Sequence, residues 1–456
     1  MRRRLAVAAG LGGAVVLTTA TPAAAHALGG RLDLPVPIWL FVYGAATVVV
    51  ASFVALGVLW KEPRLEGKTS GRPLPDPLQR VFRSRAVETV VRAASVLFFV
   101  VVFAAAVAGR DTAFFNIAPV VVFNLFWVGL AFAHAFLGNW WATLSPWEGI
   151  ARFLGIGERP RRQYPLGWGL WPAALGLIGF LTLELVVFAH ASSPRILGWA
   201  IGVYSAITWG GMALFGRETW NRKGEAFAVY FELLSRIAPL ARREDGRVIA
   251  RLPLSGLPSV PPQPGLVAIA MIVIGSTTFD GFTGTELWNG WVQGLDTAAS
   301  VLAHATGLLA TIVLAMCVYA LSMLAASAVA GIPWHPLSVK FLHSLIPIAF
   351  AYVAAHYFSY LLLDGQAAIP LISDPFGTGW DLFGTVDYSS NLTLLSPNAV
   401  WYFQVGAIVL GHVSGVILAH DRALADFPKK VAVRTQYALL GVMVMFTMSG
   451  LVILRG

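Results

Sequence analysis

Hydrophobic positions fall in long blocks along this chain, with no sustained alternation of two. Apolar runs of roughly twenty residues, the length needed to cross the hydrocarbon of a bilayer, occur near 36–60, 87–109, 115–138, 168–190, 195–215, 265–284, 300–330, 338–363, 399–419 and 435–454. The pattern predicts an all-α polytopic integral membrane protein with about ten transmembrane helices. Residues 217–243 differ: Phe227, Phe231, Leu234 and Ala238 share one side at helical spacing between flanking cations, predicting an amphipathic helix on the inner leaflet. The proline-rich stretch 252–264 separates a first five-span half (26–251) from a second (265–456), and no sequence repeat relates them. Ahead of the first span, three arginines, a short apolar core and Ala23-Ala24-Ala25 predict a cleavable signal peptide over 1–25, with His26 as the mature N-terminus.

Composition reinforces the class. The 456 residues are 57% hydrophobic and 12% charged, with a mean hydropathy of +0.71. A soluble fold of this length could not bury that much apolar surface. The net charge of +9 reports topology, and nucleic acid is not an expected partner. With the mature N-terminus outside, the segments predicted to be cytoplasmic carry 24 Lys and Arg against four in the others, and 364–398 holds none. The positive-inside rule then predicts a multi-pass plasma-membrane protein whose two mature ends are both extracytoplasmic. The single cysteine, Cys317, excludes an intrachain disulfide.

Ionisable residues inside spans are costly and point to function. From helix rise alone, Glu184, Asp280, His304 and His356 come from four helices to one height in the outer third of the bilayer. His190, Asp364 and Gln404 lie near the same surface, while His134, His343 and His412 fall toward the cytoplasmic side. An imidazole or amide at such a position often only bonds across a helix interface. Tyr357 and Tyr360 are expected to be packing residues with a wet tip, and His335 and His420 to be solvated loop residues. His and carboxylate together suit Zn, Mn or Cu, and Asp280, His304 and His356 are the expected metal set, although no H-E-x-x-H signature is present. His343 and His356, thirteen residues apart on one expected helix, have the spacing of stacked haem ligands, but the four-helix spread of candidate ligands makes haem the lesser expectation. An N-terminal His26 would offer an amine and an imidazole to copper. The segment "GKTS" lacks the first glycine of a P-loop, and there is no G-x-S-x-G.

Four blocks carry a resemblance: "AHALGGRLDLPVPIWLFVYGA", "STTFDGF", "VAAHYFSYLLLDGQ" and "WYFQVGAIVLGHVSGVILAHDRAL". Together they resemble a family of bacterial polytopic membrane proteins labelled fenitrothion hydrolase. The resemblance spans most of the chain and implies a link to cleavage of organophosphate triesters, with no catalytic residue set attached. His26, Asp280, His356, Gln404, His412, His420 and Asp421 stand within the matching blocks.

Three expectations follow. The first is a membrane-bound hydrolase whose outward pocket meets lipophilic triesters from the bilayer, with Asp280, His304 and His356 on a metal and Glu184 as general base. The second is a permease or copper-handling component, with His26 capturing and His343 and His412 continuing a path. The third is a scaffold without chemistry. A continuous polar path beneath His356 would favour transport, and a closed floor would favour hydrolysis.

Overall fold

The computed structural model describes residues 36–66, 71–243 and 245–455; the expected signal peptide and His26 lie outside them. Among the described residues ten helices are long and apolar enough to span a membrane: α1 Ile38–Leu59, α2 Arg85–Ala108, α3 Ile117–Leu137, α4 Trp171–Ala191, α5 Pro194–Phe215, then, after a short helix α6 (Ala226–Ser235), α7 Leu266–Thr283, α8 Thr297–Ala330, α9 Ile346–Ser373, α10 Pro397–Asp426 and α11 Lys429–Arg455. Their starts are written locally. Ser193 and Ser396 each accept a hydrogen bond from the first turn, and Pro194 and Pro397 follow, where a missing N–H costs nothing. Asn116 caps α3 through the Ala118 amide and ties back to the Ala105 carbonyl that ends α2. All the Lys- and Arg-rich connections lie at one end of the helices, called here the basic end.

Helices α7 and α9 form the middle of the bundle, most of each being buried, and the other spans surround them. Close packing of α9 on α10 depends on absent side chains. A Cβ on Gly411 would stand 2.2 Å from the Ala351 Cβ, and one on Gly415 would stand 2.8 Å from the Ser344 carbonyl. This small-x-x-x-small spacing lets two backbones approach where the hydrophobic effect offers no drive.

Three features depart from expectation. Helix α6 does not lie on a surface: eight of its ten residues are buried, and it packs on α3, α4 and α9. Val229, Tyr230 and Leu233 cover the sides left by Phe227, Phe231 and Leu234, and a helix apolar all round belongs inside. Gly224 ends the preceding helix Arg217–Lys223, so 217–243 is two helices and a strand rather than one helix. Next, α9 starts at Ile346 because Pro347 suits a first turn. His343 therefore lies in a separate 3-10 turn, Leu342–Ser344, and does not share a helix with His356 as the haem spacing requires. Finally, a small antiparallel sheet at the basic end, β1 Arg72–Pro73, β2 Leu240–Arg242 and β3 Val248–Ala250, has β3 in the centre. The Gln79 side chain pairs with both backbone groups of Val248 at its edge.

Candidate functional site

Asp280 ends a run of buried residues on α7, and its side chain turns toward α9. One carboxylate oxygen, Oδ2, accepts from the Tyr357 hydroxyl at 2.7 Å and from His356 Nε2 at 3.0 Å. Neighbouring residues on a helix diverge by about 100°, so His356 and Tyr357 straddle the oxygen from two sides. The imidazole and carboxylate side chains are 10% and 8% exposed, which makes this a nearly dry pair. Gly281 leaves room for it: a Cβ there would meet Ile453 at 2.6 Å and the His356 ring at 3.7 Å. Beside His356, between Thr277, Gly281 and Ile453, is a void of about 20 Å³, room for about one water.

Glu184 on α4 is the second buried carboxylate, and neither of its oxygens has a hydrogen-bond partner. It lies within electrostatic reach of Asp280, Tyr230 and Tyr360. The Tyr230 hydroxyl and Trp127 Nε1 are also buried without partners, their rings stacked at 4.9 Å. Asn124 donates to the Tyr360 carbonyl at 2.7 Å. Both wall segments, Val120–Gly129 and Leu183–Phe188, are wound as π-helix, a winding frequent at functional sites. Five helices, α3, α4, α6, α7 and α9, thus contribute polar side chains to this buried region.

His304 is not part of it. Its ring meets His190 at 4.7 Å and Trp288 at 5.1 Å. Each of these two histidines donates from Nδ1 to the carbonyl four residues back, and His190 Nε2 reaches the Ser300 hydroxyl at 2.9 Å. Shared height placed His304 with Asp280, whereas the angle around α8 places it with His190. Among the described residues no three His, Cys, Asp or Glu side chains gather as metal ligands would. Asp280 and His356 supply only two donors, and one imidazole nitrogen is already committed to the carboxylate. The expected metal set is therefore not assembled.

Asp364 is exposed and Gln404 half-buried, neither against the pair. Toward the basic end His412 and His343 are buried along one seam. His412 lies opposite Tyr352 with ring centres 6.1 Å apart, and its Nε2 is unpartnered. His343 follows, with its Nδ1 on the Lys340 carbonyl, close to Asp421 and Arg422. His134 stands apart, stacked on Phe231 at 4.5 Å. His335 is exposed as expected, but His420 is buried, bonded to the Trp60 carbonyl and to Gln436. Asp421 beside it accepts from the Trp60 indole and from the amides of Arg64, Leu65 and Glu66, and Arg422 pairs with Glu66 at 2.9 Å. This latch closes the seam at the basic end. Helix α10 carries both residues past the span into the protein's own loops, which is why they are not solvated. Burial pushes the Glu66 carboxyl above its usual range, against the opposing pull of Arg422.

Comparison with protein-family models, with curated proteins and with solved structures finds no match for this chain.

Proposed function

We propose that this chain is a proton-handling permease of the cell membrane, in which Asp280, His356 and Tyr357 bind the proton and Glu184 is its exchange partner. One observation carries the reading: two buried carboxylates on separate helices lie within electrostatic reach of each other, His356 being bonded to Asp280 while Glu184 has no hydrogen-bond partner. Both cannot stay ionised at that depth without a second positive group, so a proton is the natural currency. Below the pair, Tyr352, His412 and His343 are buried at the α9–α10 seam and are the groups a proton would use on its way to the Asp421 latch. Triester hydrolysis is the weaker reading because the void beside His356 holds about one water, far less than a triester.

Purified protein in liposomes, with a pH-sensitive dye inside and a potassium diffusion potential, tests this directly. Wild type should acidify the lumen, while Asp280→Asn and His356→Ala should abolish the flux. Cleavage of a nitrophenyl phosphotriester by the same preparation, lost in Asp280→Asn with no proton flux in wild type, would instead establish the hydrolase.

A further inference from the structure

A large cavity lies at the opposite end from Asp280. About 1120 Å³ lies open among the basic-end starts of α4 and α7, the helix Arg217–Lys223 and one side of α6, more than most small-molecule sites require. Trp141, Leu170, Leu233, Val260 and Leu266 make its apolar wall, and five basic side chains against four carboxylates line the rest. The charge excess has a definite address. Glu148 is shared by Arg152 Nε at 2.7 Å and Arg217 Nε at 3.1 Å, and also accepts from Asn221 at 2.6 Å. Two guanidinium groups on one carboxylate leave a positive charge over. Arg217, which lines the cavity, has its Nη1 buried with no hydrogen-bond partner.

We infer that this cavity binds an anionic amphiphile, a phosphate-bearing lipid of the leaflet at the basic end, with its phosphate on Arg217 and its acyl chains along the apolar wall. A guanidinium held by one carboxylate still presents N–H groups in the fork geometry that phosphate accepts. The cavity lies where α4 and α7 begin, the depth of a headgroup, and its apolar face has no use for a fully hydrated ion. This assignment is independent of proton handling.

Calorimetric titration of the purified full chain in zwitterionic detergent tests it, with short-chain phosphatidylglycerol, phosphatidylcholine of the same chain length and glycerol phosphate as probes. Phosphatidylglycerol should bind saturably at one site, about tenfold more weakly to Arg217→Gln, the loss of roughly one charge-assisted hydrogen bond. Arg217→Lys keeps a cation for Glu148 and should fall between, so it carries the test if the glutamine variant does not fold. Asp280→Asn should bind as wild type does, which separates this site from the proton pair. Equal binding of both lipids, or wild-type affinity in both Arg217 variants, would overturn the site. Glycerol phosphate binding as tightly as phosphatidylglycerol would overturn the lipid assignment, leaving a soluble phosphate as ligand.

Discussion

At the scale of single residues, the Asp280 carboxylate is the point where stability and chemistry meet. Tyr357→Phe keeps the ring and removes one of its donors, so it should cost about 1 kcal/mol, read from thermal unfolding in detergent. Combined with Asp280→Asn the loss should be less than additive, because both changes break one bond. Glu184→Gln should behave in the opposite sense: replacing an unpartnered buried carboxyl with a neutral amide should leave the melting temperature unchanged or higher while proton flux falls. Asp280, His356 and Glu184 were visible in the sequence because an ionisable group interrupts an apolar run. Tyr230 and Trp127 were not, since a phenol or indole in a span looks like packing until its polar atom is seen without a partner. His304 was misplaced because helix rise fixes depth and says nothing of direction around the axis.

Among elements, the α9–α10 seam and the buried α6 make the sharpest claims. Gly411→Val should lower stability by about 1–3 kcal/mol, the usual cost of overpacking, whereas Gly441→Ala, with nothing within 4 Å of the new methyl, should melt like wild type. For α6, an introduced cysteine at Val229 in a Cys317→Ala background should resist a membrane-permeant thiol reagent that would label a helix on the leaflet surface. The ten spans were legible from length and apolarity, as the near-coincidence of their limits shows. The fate of 217–243 was not, because Phe227 and Phe231 fit a one-sided helix and only the partners of Tyr230 and Leu233 reveal a second buried side. The joint between α2–α3 and α5 is polar: Asp111 accepts from Ser193 Oγ at 2.7 Å and from the Arg195 amide at 3.1 Å. The Ser193 bond, then the Arg195 amide, hold its carboxyl below the usual range. Its contribution is therefore present above the unfolded carboxylate value, about 4, and lost as pH falls through the depressed one. Asp111→Asn should flatten the acid limb of a melting-temperature profile and leave the neutral region in place.

For the whole molecule, the asymmetry of charge predicts the orientation. Cysteines at Arg161 and at Ser389, each in the Cys317→Ala background, should react with an impermeant reagent on opposite sides of intact cells, Ser389 from outside. That sidedness is an expectation from the distribution of Lys and Arg, whereas the closed latch at Asp421 was not legible, since a loop folding back on its own helix leaves no mark in composition. One consequence follows from how far the two carboxylates sit from the basic end. Under the proposed function, a proton reaching Glu184 would have crossed only part of the thickness, so its arrival would move a fraction of an elementary charge through the electric field. A full charge is worth about 2.3 kcal/mol per 100 mV, so on that proposal the occupancy of the carboxyl should track voltage, and an energised cell and a depolarised one should hold this protein in different protonation states at the same external pH.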